Sequence, residues 1–398
     1  LPTIYSMSLG VQHDIGFKTV VDVSYVGTLS RHLFYARELN YTPLGYLFTA
    51  AAQDPTFFPY SDTNGDGRVD VPSQDAGIAQ VYKAAGLNFD GSKALTANLV
   101  RNYPGLAGIR FEENASTSNF HSLQVAVNRR FSHGLNFSVA YTFSKALGTA
   151  PGDGSFVNPN NPRVYDYRLM DFDRTHAFTA TYIYDLPKLG RKLGDNQFTR
   201  ALLDGWQISG ITSFISGNPF DLGVGIGGGI NANQRITGSW TEPPRFRLKG
   251  DPKKGPNGLL ISPDAFIIPE IGSLGQGERT YLRNPGINNT DLSLFKNFYI
   301  GDPDKGRQIQ LRLEAFNVFN HTQFAGINAG TALSLPNGAS NGGIFGDTQT
   351  NPYNTLSITN NLRNGPVEGS NRALGFFFGE YNSARDPRII QLGVKFYF

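Results

Sequence analysis

The sequence contains no cysteine, so disulfide frameworks, thiolate metal sites and cysteine nucleophiles are excluded, although the cellular compartment stays open. Charge is scarce: Asp, Glu, Lys and Arg make up 17% of the 398 residues, against roughly 25% in soluble domains. The net charge of +3 is spread along the chain without a clustered basic face, which argues against a nucleic-acid partner. No stretch approaches the roughly 20 apolar residues of a transmembrane helix. The first residues show no basic n-region followed by an apolar run, so a signal sequence is expected to lie elsewhere or to have been removed. What is abundant is glycine, at 46 residues, and aromatic side chains, with 30 Phe and 18 Tyr. A chain of this composition that spans a membrane does so with strands.

Transmembrane strands alternate between lipid and lumen over about ten residues. At the C-terminus Ile390, Leu392, Val394, Phe396 and Phe398 share one face, and Gln391, Gly393, Lys395 and Tyr397 share the other. Ile309, Leu311, Leu313 and Ala315 alternate in the same way with Gln308, Gln310, Arg312 and Glu314. So do Leu135, Phe137, Val139, Tyr141 and Phe143 with Asn136, Ser138, Ala140, Thr142 and Ser144. Weaker alternation over 5–11, 17–29, 123–131, 175–186, 206–214 and 292–298 brings the expectation to about nine strands. A soluble antiparallel sandwich alternates too, so any one segment leaves both readings open.

The connections separate them. Short ones, at 13–16, 132–134 and 301–306, and a medium one at 187–204, alternate with long ones at 30–119, 149–173, 217–288 and 320–385. Long irregular stretches sit poorly in a compact soluble domain, but tight periplasmic turns opposite long extracellular loops are what a barrel has. The expected fold is therefore all-β: a transmembrane antiparallel β-barrel spanning residues 1–398, with 30–119 as a long extracellular loop insertion. Bacterial barrels have an even strand number with both ends in the periplasm. About nine strands, with the last ending at Phe398, thus suggest the C-terminal portion of a larger barrel.

Five segments carry a family resemblance: NRRFSHGLNFSVAYTFSKAL (128–147), DFDRTHAFTATYIYDLP (171–187), LLDGWQISGITSFISGNPF (202–220), RLEAFNVFNHTQF (312–324) and DPRIIQLGVKFYF (386–398). Their order and spacing resemble the C-terminal barrel region of TonB-dependent outer-membrane receptors, in particular the Oar-like group. The resemblance implies a barrel of 22 strands, a plug domain and a TonB box upstream, and uptake of a bulky ligand bound at the cell surface. Neither plug nor TonB box is found in this chain. The implied partners are outer-membrane lipid, the TonB system, an extracellular ligand and the barrel assembly machinery. That machinery would read the last strand through Val394, Phe396 and Phe398. The alternative is a structural or adhesive surface protein that uses the barrel as its anchor.

The chain is not expected to be an enzyme. His13, His32, His121, His133, His176 and His321 form no HExxH pair and no evident nucleophile–base arrangement. The glycine cluster at 223–229 lacks the flanking strand, helix and Lys-Ser/Thr pair of a phosphate loop. DTNGDGRVD, residues 62–70, does carry chemistry. Asp62, Asn64 and Asp66 stand at positions one, three and five of a calcium loop, Gly67 supplies the turn, Arg68 offers a carbonyl and Asp70 stands at position nine. At position twelve Ser73 replaces the bidentate Glu, so Asp75 or another group must complete the shell. The expectation is a structural Ca²⁺ site in the weak range of roughly 10⁻⁴ to 10⁻³ M. The other reading is a polar turn with no metal.

Overall fold

The computed structural model describes residues 1–45, 101–150, 152, 156–190, 192–194, 196–222, 237–239, 242–248, 250–253, 255, 260–262, 265–267, 269, 272–275, 282–300, 307–327 and 381–398. Nine long strands form one sheet: β1 (Thr3–Gly16), β2 (Thr19–Glu38), β3 (Arg110–Ser132), β4 (Leu135–Gly148), β5 (His176–Asp185), β6 (Trp206–Ile215), β7 (Ile287–Tyr299), β8 (Gln308–Phe316) and β9 (Ile389–Tyr397). Each pairs antiparallel with its neighbours in sequence, giving an up-and-down meander in the order β1 to β9. Among the described residues, β1 and β9 are each paired on one side only.

All nine expected strands are present, and their ends differ most in two places. The first turn was expected at 13–16, but β1 runs on to Gly16 through a register shift after Asp14. Phe17 and Lys18 make the turn instead, with φ of 53° and 60°. Two left-handed residues match the twist of a two-residue hairpin, and here the hairpin imposes that conformation on residues that do not favour it. The second difference is length. β2 and β3 run for 20 and 23 residues, so 30–38 and 110–119, expected as loop, are strand. At 3.4 Å per residue these strands reach roughly 65–75 Å, well beyond a hydrocarbon layer of about 30 Å. Register shifts between Ser30 and Phe34, with His32 at φ 55°, mark where the projection leaves the wall.

The register gives the sheet two unlike faces. One cross-strand row reads Leu135, Tyr184, Ile208, Leu294, Leu313, Leu392. The row one residue away reads Asn136, Ile183, Ser209, Ser293, Glu314, Gln391. A sandwich would cover the apolar face with a second sheet. Here Leu123, Phe143, Leu313, Leu392, Val394 and Phe396 are between 41% and 78% exposed, and the buried apolar residues lie elsewhere. An apolar face of this extent calls for lipid.

At one end of the sheet the strands join through short turns. The His133–Gly134 hairpin has φ of 50° and 77°, and a Cβ on Gly134 would stand 2.8 Å from the Asp185 carbonyl oxygen. Gly134→Ala combines left-handed strain with that clash, and is expected to cost at least about 1 kcal/mol in urea unfolding of the detergent-folded native protein. A wild-type midpoint would show that the hairpin relaxes. The medium connection folds a short helix, α1 (Gln197–Leu203), where irregular chain was expected, closed by a reciprocal capping box between Asn196 and Thr199. At the other end the buried core collects: Tyr35, Ala36, Ala146, Met170, Phe246, Ile261, Phe266 and Leu282 are all under 9% exposed.

Candidate functional site: the loop-bearing end of the wall

Two connections, β4–β5 and β6–β7, meet at the loop-bearing end, and ion pairs with buried or half-buried partners join them there. Asp173, between β4 and β5, meets Arg283 Nη2 at 2.6 Å across 110 residues of sequence. It also accepts the Ala146 N–H on β4 at 2.7 Å, so one carboxylate ties two connections to the wall. Arg245 meets Asp166 at 3.0 Å, with both side chains under 10% exposed. The other oxygen of Asp166 accepts the Asn158 N–H at 2.5 Å, and Asn158 Nδ2 donates to Glu242 at 2.7 Å. Arg168 bridges Asp221 at 2.5 Å and Asp171 at 3.3 Å. Buried charges persist when paired and hydrogen-bonded in this way, and these bonds tie the described parts of the two connections to each other and to the wall. On the projection, Tyr35 donates to Glu113, which Arg37 grips at 2.7 Å. Burial first, then that bond, holds the Tyr35 hydroxyl above the ordinary phenol range.

The polar face below this layer carries a second network. Asp291 accepts from Asn289 Nδ2 at 2.8 Å and from the Asn317 N–H at 2.9 Å, while Gln323 donates to Asn289 at 2.8 Å. Asn317 and Asn320 adopt left-handed conformations, which short polar side chains tolerate, and so turn the chain out of β8. With Gln391 and Arg385 these groups line an open hollow of ≈ 800 Å³. It faces the polar side, close to the folded loops. Its lining sets amides, the Asp291 and Asp386 carboxylates and a guanidinium among Ile287, Phe316, Pro387 and Ile389, so it offers a ligand both polar and apolar contacts.

Of the residues expected to act, Val394 and Phe396 lie on the exposed apolar face of β9, opposite Leu311 and Ile309, and Phe398 follows them fully exposed. The calcium loop with Asp62, Asn64, Asp66, Arg68 and Asp70, and the glycine cluster at 223–229, lie outside the described residues. Sequence reasoning missed the ion pairs, because partners 53 to 110 positions apart leave no local signal. It also missed Lys296, which sits in the apolar row at the turn end. Its ammonium hydrogen-bonds the Asp204 carbonyl and lies 5.3 Å from the Trp206 ring centroid. A lysine there reaches along apolar surface to polar groups at the membrane interface.

A single sheet with one lipid-suited face, one polar face, short turns at one end and folded loops at the other defines the wall of a transmembrane β-barrel. The chain belongs to the outer membrane beta barrel domain family, whose model matches residues 1–391. It therefore resides in the bacterial outer membrane, where such barrels turn their short connections to the periplasm and their long ones outward. Two solved structures are similar to it. The outer membrane transporter YddB from Escherichia coli aligns with 86% of this chain at 9% identity and a TM-score of 0.39. The ferric-catecholate import receptor Fiu from E. coli K12 aligns with 86% at 11% identity and a TM-score of 0.32. The chain covers 31% and 26% of those two structures. No curated protein matches it.

Proposed function

We propose that this wall is part of a TonB-dependent outer-membrane receptor of the Oar-like group and takes part in the uptake of a bulky ligand met at the loop-bearing end. The observation that carries this reading is the loop layer itself: the Asp173–Arg283 and Asp166–Arg245 pairs, both with buried carboxylates, organise the connections above an open hollow. An anchor for an adhesin needs no such preorganised polar surface facing the barrel interior. The order of the five resembling segments supports the same assignment. Bilayers do not tolerate unpaired strand edges, so further strands would pair with β1 and β9 to close the wall. The test is accumulation of a labelled panel of ferric siderophores, oligosaccharides and peptides by cells making the native protein. Uptake of one class should stop when TonB is removed. Uptake indifferent to TonB, or surface adhesion as the sole phenotype, would overturn the receptor reading in favour of the anchor.

Two further roles follow from the sequence. The loop at 62–70 would hold Ca²⁺ through Asp62, Asn64, Asp66, the Arg68 carbonyl and Asp70, ordering an external loop. Millimolar Ca²⁺ should protect it from protease on intact cells, and Asp66→Ala should abolish that protection; cleavage indifferent to both changes removes the site. The terminal pattern Val394, Phe396, Phe398 would guide assembly. Phe398→Lys should then lower the amount of protein in the outer membrane far more than Tyr397→Lys, whereas equal losses would leave the terminal aromatic without that role.

A further inference from the structure

Between β5 and β6 the chain leaves the turn end of the wall, and the described part of this connection packs into a small bonded unit. The Leu193 N–H bonds the Leu189 carbonyl at 3.1 Å, closing one helical turn, and α1 follows behind its Asn196 cap. Gly190 lies so close to α1 that a Cβ on it would stand 2.7 Å from the Arg200 Cα. Its N–H donates to Asp204 Oδ1 at 2.8 Å, and its carbonyl accepts from Thr199 Oγ1 at 3.4 Å. Thr199 and Leu203, the half-buried positions of α1, mark its inner side. Phe198, Ala201 and Leu202 share a different side at helical spacing and are exposed. Phe198 is 76% and Leu202 56% exposed, and in the turn before them Leu189 is 43% and Leu193 68% exposed. The cap and the bonds around Gly190 hold these four large apolar side chains outward, where water is a poor solvent for them.

Two side chains of the apolar face place the unit relative to the bilayer. Trp206 pairs across the sheet with Lys296, which pairs in turn with Leu311. The Trp206 indole N–H reaches back to the Leu202 carbonyl at 2.9 Å, and the Lys296 ammonium donates to the Asp204 carbonyl. Both grip the C-terminal end of α1 from the lipid side of the wall, at the depth where Trp and Lys bridge hydrocarbon and headgroups. The exposed apolar groups of the connection are thus continuous with the lipid-facing wall and level with the headgroups, which is where a short amphipathic segment lies in a membrane surface. Lys188 and Lys192 beside them are exposed, and among the described residues no ion pair uses either, so the unit also carries charge complementary to anionic phospholipid.

We propose that this connection is a membrane foot: Leu189, Leu193, Phe198 and Leu202 insert between phospholipids of the periplasmic leaflet, beside the barrel. The foot rests on the outer-membrane placement and not on what the receptor transports. Native protein carrying a benzophenone analogue of phenylalanine at Phe198 is irradiated in the outer membrane of cells and, once purified, in vesicles of phosphatidylethanolamine and phosphatidylglycerol. Adducts are read by intact-mass spectrometry. A phospholipid adduct should form in both settings, at a yield about fivefold above that of the same analogue at His133, the exposed tip of the neighbouring hairpin. With the analogue at Ala201 instead, Phe198→Asp with Leu202→Asp should lower the lipid adduct about tenfold, since two buried apolar side chains are lost. A crosslink to protein in place of lipid, a second copy of this chain included, overturns the proposal. Equal yields at Phe198 and His133 do the same, as does an Ala201 adduct indifferent to the double substitution. Heat-modifiable migration shows that each variant is folded. Uptake indifferent to TonB with the lipid adduct intact would sink the transport reading alone.

Discussion

Replacing Asp173 with alanine is expected to destabilise the folded protein by up to about 3–5 kcal/mol, the upper end being the cost of breaking a fully buried pair from one side, since Arg283 keeps partial access to water. Asp173 is 2% exposed and has three polar partners: Arg283 at 2.6 Å, the Ala146 N–H at 2.7 Å and Thr175 Oγ1 at 3.4 Å. Removal leaves the Arg283 guanidinium facing only carbonyls, its contact with Gly217 O at 2.9 Å among them, and strands the Ala146 amide. Both losses fall where the β4–β5 and β6–β7 connections meet, so the loop layer should loosen before the wall does. Asp173→Asn keeps an acceptor for the amide and should do less harm. Urea unfolding gives the total, and limited proteolysis of the β6–β7 connection gives its location. An alanine variant within about 1 kcal/mol of wild type would mean that the pair contributes no net stability, as desolvation can bring about.

The strands were legible because their pattern answers to two solvents at once. Lipid on one side and a polar interior on the other force strict alternation, and that constraint acts within each strand, where a sequence displays it. The projection of β2 and β3 was illegible for the same reason. Above the bilayer one solvent bathes both faces, and a run such as Glu113, Asn114, Ala115, Ser116, Thr117, Ser118 and Asn119 reads as loop although it pairs with Leu29 to Tyr35. The Phe17–Lys18 turn was hidden because it lacks the Asn-Gly signature that its backbone favours. The helix at 197–203 did have a signal, Asn196 three residues before Thr199, but seven residues give too little periodicity to weigh it. The resembling segments turn out to hold structural keystones: Asp173 in one, Trp206 beneath Lys296 in another, Asn317 and Asn320 at the exit of β8 in a third. Their physical roles needed partners that only the fold supplies.

The assignment of the two faces makes the most direct prediction, since neighbouring residues on one strand must respond in opposite ways. Leu294 lies mid-strand on β7 between Ile208 of β6 and Leu313 of β8, within the apolar row that would meet the hydrocarbon. Ser293, one residue away, lies between Ser209 and Glu314 on the polar face. Arginine at Leu294 would have to bring its charge into the bilayer interior, at a cost of about 2–4 kcal/mol near the midplane. Arginine at Ser293 would reach water and stand beside Glu314, so its cost should be near zero. Lys296 bounds the effect from the other side: this lysine occupies the same apolar face one alternate position further on, where the turn-end carbonyl of Asp204 receives it. Leu294, two residues deeper, has no such partner within a short reach for its replacement. The outer-membrane level and urea midpoint of Leu294→Arg should therefore both fall steeply while Ser293→Arg follows wild type. Equal tolerance at the two positions would require the apolar face to be covered by protein instead of lipid, and the wall would then belong to a soluble sandwich after all.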